Sequence, residues 1–155
     1  MGQMIMIQKA LSIKESYELY IDNELKYFIK RRKLLTSKPA YDIFTEEGTV
    51  ATAEVTSTTA PLIYKLAFNG QESGEVCYNE IPGVSKLIYE EKGLEIDGNG
   101  NLTEFSVRNR DKNIIGTVKK KIVSMKDTYD IVYENDADEL LFAMIGLLID
   151  ETFHG

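Results

Sequence analysis

Two short basic runs, Lys30-Arg31-Arg32-Lys33 and Lys119-Lys120-Lys121, stand out from a sequence otherwise rich in carboxylates. Guanidinium and ammonium groups bind phosphate through charge and hydrogen bonds, so the chemistry these runs suit is the clamping of anionic head groups. Side chains of a strand alternate between its two faces, so at least one residue of each run must turn toward the interior or snorkel to its rim. A solvated outer face that discourages edge pairing is the more economical reading of the same residues.

Other reactive side chains are sparse. Cys77 is the single cysteine and His154 the single histidine, and His154 falls in what reads as a C-terminal tail, so no thiol–base pair is expected and Cys77 reads as a small buried hydrophobe. Tyr41-Asp42 and Tyr129-Asp130 recur as matched pairs; the rings suit packing and the aspartates suit pairing with the neighbouring basic runs. Glu46-Glu47 and Glu90-Glu91 read as exposed turn residues. The spacing of Asp97, Asn99 and Asn101 resembles the opening of a calcium loop, but Leu102 stands where that loop needs Gly and Arg108 where it needs Glu, which leaves a hairpin turn. The residues therefore predict no enzyme, no metal and no cofactor; the rival expectation is an enzyme with a pocket assembled from scattered residues.

The 155 residues carry 25 acidic and 18 basic side chains, a formal charge of −7, which argues against nucleic acid as a partner. Only one cysteine, and no stretch resembling a signal peptide or a transmembrane span, predict a cytoplasmic protein, at most peripheral to a membrane. Gly2 lacks the Ser or Thr that a myristoylation signal needs at position 6, and Asn101-Leu102-Thr103 is a chance sequon without a secretory route.

The elements that would position the basic runs are strands. Runs rich in Ile, Val, Tyr, Phe and Thr between about residues 4 and 134 alternate with turns such as Asp22-Asn23, Asn69-Gly70 and Lys92-Gly93, which predicts about twelve antiparallel strands in one domain spanning 1–155. The end of the chain breaks this pattern. Asp136 and Glu139 have the form of a capping box, and a helix from about Ala137 to Thr152 follows. Its middle, Leu140 to Ile149, has no polar face, so it must be enclosed on every side, and ten residues are too few to span a bilayer. A closed barrel around its own helix satisfies both demands, with Leu141, Met144, Ile145 and Leu148 nearly inaccessible and Gly146 allowing a close approach.

A shift of 88 residues superposes Tyr17-Glu18-Leu19 on Phe105-Ser106-Val107, Arg31-Arg32-Lys33 on Lys119-Lys120-Lys121, and Tyr41-Asp42-Ile43 on Tyr129-Asp130-Ile131. Such agreement at one offset predicts an internal duplication, two related meanders in one barrel.

A basic strand ending, a Ser or Thr, Tyr-x-Ile, and then Glu139-Leu140-Leu141-Phe142-Ala143-Met144-Ile145 with Ile149-Asp150 resembles the tubby C-terminal-like superfamily, nearest to the LURP-one-related group and its bacterial members. The resemblance covers nearly the whole chain and is strongest from Gly116 to Asp150. It implies a barrel of about twelve strands threaded by a hydrophobic C-terminal helix. It also implies a family that includes phosphoinositide binders and phospholipid scramblases, although this chain lacks the calcium-binding and terminal membrane segments of the latter. The functional expectation is a non-catalytic binding or scaffold protein whose partner is an anionic phospholipid or another protein, met through Lys30, Arg31, Arg32, Lys33, Lys119, Lys120 and Lys121.

Overall fold

Each turn dipeptide reverses the chain sharply, so successive strands pair as hairpins; at Asn69-Gly70 both residues adopt positive φ, 51° and 80°. A computed structural model describes residues 1–9, 16–32, 38–123 and 126–154. Twelve strands follow in order: β1 (Gly2–Gln8), β2 (Ser16–Ile21), β3 (Glu24–Arg31), β4 (Ala40–Thr45), β5 (Gly48–Ser57), β6 (Leu62–Phe68), β7 (Gln71–Tyr78), β8 (Lys86–Tyr89), β9 (Leu94–Gly98), β10 (Glu104–Arg108), β11 (Ile114–Val123) and β12 (Lys126–Tyr133). Each pairs antiparallel with the next, and β1 pairs with β12 to close the barrel.

The helix runs through the centre. A 3-10 turn (Asp136–Asp138) leads into α1 (Glu139–Ile149), and the chain then widens into a π-type turn over Asp150–His154. The side chain expected to cap it does not. Asn135 caps the preceding 3-10 turn, its Oδ1 accepting from the Ala137 amide at 3.0 Å, while Asp138 at the start of α1 makes no side-chain cap bond and Glu139 turns sideways to Lys26 and Tyr27, both at 2.6 Å. Asn135 precedes the 3-10 turn, and that turn carries Asp136 away from the geometry of a capping box.

Met144, Ile145 and Leu148 are at most 1% exposed, as an all-round apolar helix requires. Leu140 and Leu141 are only half-buried, which corrects the expectation for Leu141: the first turn lies at the barrel mouth, where strands give way to turns. Fit between helix and wall depends on missing side chains. At Gly116 of β11 a Cβ would collide with the Phe142 ring and lie 2.8 Å from the Val132 carbonyl oxygen, and at Gly146 it would lie 2.8 Å from Ile131 Cδ1. Among the described residues no helix is long and apolar enough to cross a membrane.

The ladder registers extend the duplication. Tyr17 faces Ile29 across β2–β3, Tyr64 faces Val76 across β6–β7, and Phe105 faces Val118 across β10–β11. Met6–Leu19, Ala53–Leu66 and Ile96–Val107 repeat the same step one strand earlier. The barrel therefore contains three four-strand units, β1–β4, β5–β8 and β9–β12, and the offset of 88 relates the first to the third. One detail of that offset needs correction. Arg31 faces Tyr41 and Lys120 faces Tyr129, so Arg31 corresponds to Lys120 rather than to Lys119, because the β3–β4 connection is one residue longer than its counterpart.

Two stability tests follow from this packing. A chain ending before Ala137 loses eight buried helix residues, on the order of 10 kcal/mol of apolar burial, more than a domain of this size can spare, and circular dichroism should show no cooperative melt. Gly116→Ala should cost roughly 1–3 kcal/mol in urea titration because the clash is partly with backbone, and Gly146→Ala should cost less because the Ile131 side chain can turn aside.

Candidate functional site

Odd-numbered strands run toward the barrel end where the helix finishes, here called the rim, and both basic runs lie there at the ends of β3 and β11. The two runs are not neighbours. Four strand steps separate β3 from β11 through β2, β1 and β12, about 19 Å around the wall, so they do not form one clamp.

Strand alternation sorts the residues. Lys30 and Lys119 occupy corresponding outward places, opposite Asp42 and Asp130, and both are exposed. Arg31 and Lys120 share the inward register at the rim. Arg31 is exposed there, while Lys120 is only 14% exposed with its Nζ 3.4 Å from Asp127. Arg32 meets Asp42 at 2.5 Å and Glu54 at 3.4 Å, and Lys121 meets Asp130 at 3.7 Å, so the matched aspartates do pair with the basic runs. Lys33 lies outside the described residues. Of the residues expected to bind anions, Arg31 and Lys119 carry no ion pair in the described structure, and Lys30 lies over the Phe44 ring, 5.7 Å from its centroid. A cleft of about 320 Å³ beside Arg32 and Lys38 is lined also by Glu54, Val55 and Thr56.

At the centre of the rim stands a polar cluster that sequence reasoning missed. Asp150 is fully buried, and its carboxylate accepts hydrogen bonds from the Tyr17 and Tyr129 hydroxyls. Glu151 accepts from Tyr17 at 2.7 Å and Tyr41 at 2.5 Å, and Tyr64 Oη and Thr152 Oγ1 are 2.9 Å apart. Four strands thus direct phenols at the last turn of the helix. The remaining arc is aromatic: Tyr78 and Phe105 pack on Phe153, and the His154 ring donates to the Leu102 carbonyl at 2.7 Å. His154 is therefore a packed rim residue rather than part of a tail. Tyr17, Tyr41 and Tyr129 fall on inward strand positions, and Asp150 breaks an apolar run; together those were the available signal.

The chemistry of this cluster is structural. Burial, followed by the charges of Glu151 and Asp150, holds the Tyr17 hydroxyl far above the ordinary phenol range, and burial with Asp150 does the same for Tyr129. Such phenols keep their protons and act as donors, not as bases. Cys77 lies half-buried in a groove of about 580 Å³ with Glu75, Asn79, Glu90 and Glu91. Burial and then Glu75 and Glu90 push its thiol upward, the opposite of what a nucleophile needs. Among the described residues no three His, Cys, Asp or Glu side chains are grouped to hold a metal ion. The chain matches no family model, no curated protein and no solved structure.

The phenol shifts fix a pH dependence. Below about pH 10 Tyr17 and Tyr129 are protonated both folded and unfolded, and their contribution to stability is fully present. Above it only the unfolded chain releases these protons, so stability should fall by about 1.4 kcal/mol per pH unit for each of the two. Ultraviolet tyrosinate titration should show these phenols ionising only together with unfolding; ionisation of all nine tyrosines near pH 10 with the fold intact would contradict it.

Proposed function

We propose that the protein is a non-catalytic binding module that meets an anionic surface, such as phospholipid head groups, through its rim. The observation that supports this most is the separation of charge between the barrel ends. Lys30, Arg31, Lys38 and Lys119 are exposed at or near the rim beside Glu54, Glu80 and Glu104, whereas at the opposite end exposed Asp22, Glu24, Glu46, Glu47, Glu90, Glu91, Asp111, Glu134 and Asp136 outnumber Lys26, Lys92, Arg110 and Lys112. In the field of an anionic surface this polarity orients the rim inward despite the net charge of −7.

The filled interior supports the non-catalytic part of the reading. From Phe142 to Ile149 the helix fills the barrel with buried residues, and recognition is left to the rim and the outer wall. A place within the tubby C-terminal-like superfamily belongs to the same proposal, supported by twelve strands closed around a C-terminal helix. So does a cytoplasmic location with peripheral membrane contact.

Arg32, Lys120 and Lys121 are already committed to carboxylates, so the test belongs on Arg31 and Lys119. The wild-type protein should co-sediment with vesicles containing phosphatidylserine but not with pure phosphatidylcholine, and binding should fade by about 0.5 M salt as screening shortens to a few ångströms. Arg31→Gln with Lys119→Gln should weaken binding while leaving the melting temperature nearly unchanged, since exposed charges contribute little stability. Absence of vesicle binding at low salt would refute the head-group reading.

A further inference from the structure

The three four-strand units place three equivalent connections on the rim, β3–β4, β7–β8 and β11–β12, each four strand steps from the next. The strand ends leading into them correspond. Arg31 faces Tyr41, Tyr78 faces Leu87 and Lys120 faces Tyr129, with Lys30, Cys77 and Lys119 one residue earlier in each. Two of the three ends are therefore basic. The middle unit carries Cys77 and Tyr78 in their place and follows them with Ile81-Pro82-Gly83-Val84, four consecutive residues that are all exposed.

This apolar run is held outward by its own geometry. The Val84 amide donates to the Ile81 carbonyl at 3.0 Å, and Gly83 at φ 80° follows Pro82, as a type II turn requires. At the base of the loop Tyr78 packs edge-on against Phe153, with centroids 5.2 Å apart, which ties the turn to the end of the helix. Ile81 is 56% and Val84 40% exposed; among the described residues only the terminal Met1 is a large apolar side chain more exposed than Ile81. A stiff turn loses little freedom when its tip is buried by something else.

We infer that the β7–β8 turn is a bilayer-insertion tip, with Ile81 and Val84 entering the boundary between head groups and acyl chains while the two equivalent basic connections hold the head groups. This rests on the reading that the rim meets an anionic phospholipid surface, and it adds acyl-chain contact to that reading. Size and charge select the occupant. A convex tip of four residues offers far less than the roughly 800 Å² that each partner contributes to a stable protein interface, whereas a bilayer needs no matching cavity. Exposed Lys30, Arg31 and Lys119 stand about 19 Å around the wall on either side of the turn, where attraction to anionic lipid brings the tip to the surface. Of the exposed rim carboxylates, Glu54 is paired with Arg32 and Glu104 lies opposite Lys119. Glu80 directly precedes the turn and opposes deeper entry, so insertion stops at the four-residue tip. Two side chains are too few to anchor the protein alone, so binding still needs the cations and still fades with salt.

The chain contains no tryptophan, so Ile81→Trp supplies a single fluorescent reporter. With vesicles of phosphatidylserine in phosphatidylcholine its emission should shift to the blue and be quenched by bromine atoms on the acyl chains. Leu25→Trp, at the opposite barrel end, should show neither effect. Ile81→Ser with Val84→Ser should weaken vesicle binding roughly tenfold at an unchanged melting temperature, since both side chains lie outside the core. Glu80→Gln should strengthen binding. Vesicle binding with the Ile81→Trp reporter left in water, or with the double serine variant as tight as wild type, would overturn insertion and leave the head-group reading standing. A wild type that binds no vesicle at low salt would overturn both.

Discussion

An α-helix with no polar face must be surrounded, and nearly every feature of this molecule follows from that demand. A single sheet covers one side of a helix; only a sheet that curves until its first and last strands meet can cover all of them. Closure through the β1–β12 pairing also removes the unpaired edges that a twelve-stranded sheet would otherwise expose. The wall must then fit a cylinder with bulky side chains, and the fit is achieved by subtraction: Gly116 yields to Phe142, and Gly146 yields to Ile131. Where the repeat places Tyr27 in the first unit it places Gly116 in the third, so related units present unequal side chains to the helix and the third leaves room for the Phe142 ring.

Enclosure creates a second problem at the rim. The last turn of the helix carries Asp150 and Glu151 where backbone carbonyls already concentrate negative potential. Phenols solve it. Tyr17 and Tyr129 on Asp150, and Tyr17 and Tyr41 on Glu151, supply neutral O–H donors without bringing further ions into a desolvated place. The same tyrosines fill apolar volume with their rings, which makes each of them both wall and anchor.

The architecture was legible because its signals are local or periodic. Period-two alternation and turn dipeptides mark the strands, and the apolar run from Leu140 to Ile149 marks the helix and its enclosure. The offset of 88 was visible because Tyr-Asp-Ile recurs nearly unchanged; the middle unit escaped notice because Leu87 and Tyr89 stand where the others have Tyr and Ile, so only ladder register reveals it. The candidate site was less legible. Residue type announced the basic runs, but not that Arg32, Lys120 and Lys121 are spent on carboxylates, since such pairing depends on which strands adjoin. The Asp150 cluster unites residues more than 130 apart with one only 21 away, a proximity no sequence pattern encodes.

The position of the helix after all twelve strands sets the order of assembly. Gln3 and Asp130, separated by 127 residues, touch across the closing seam, and the barrel cannot shut around a helix that has not yet been made. During synthesis the strands therefore emerge before the element their inner faces are built to cover, and their apolar surface waits for α1. Contacts this distant make closure slow relative to hairpin formation, so local hairpins form well before the seam between β1 and β12.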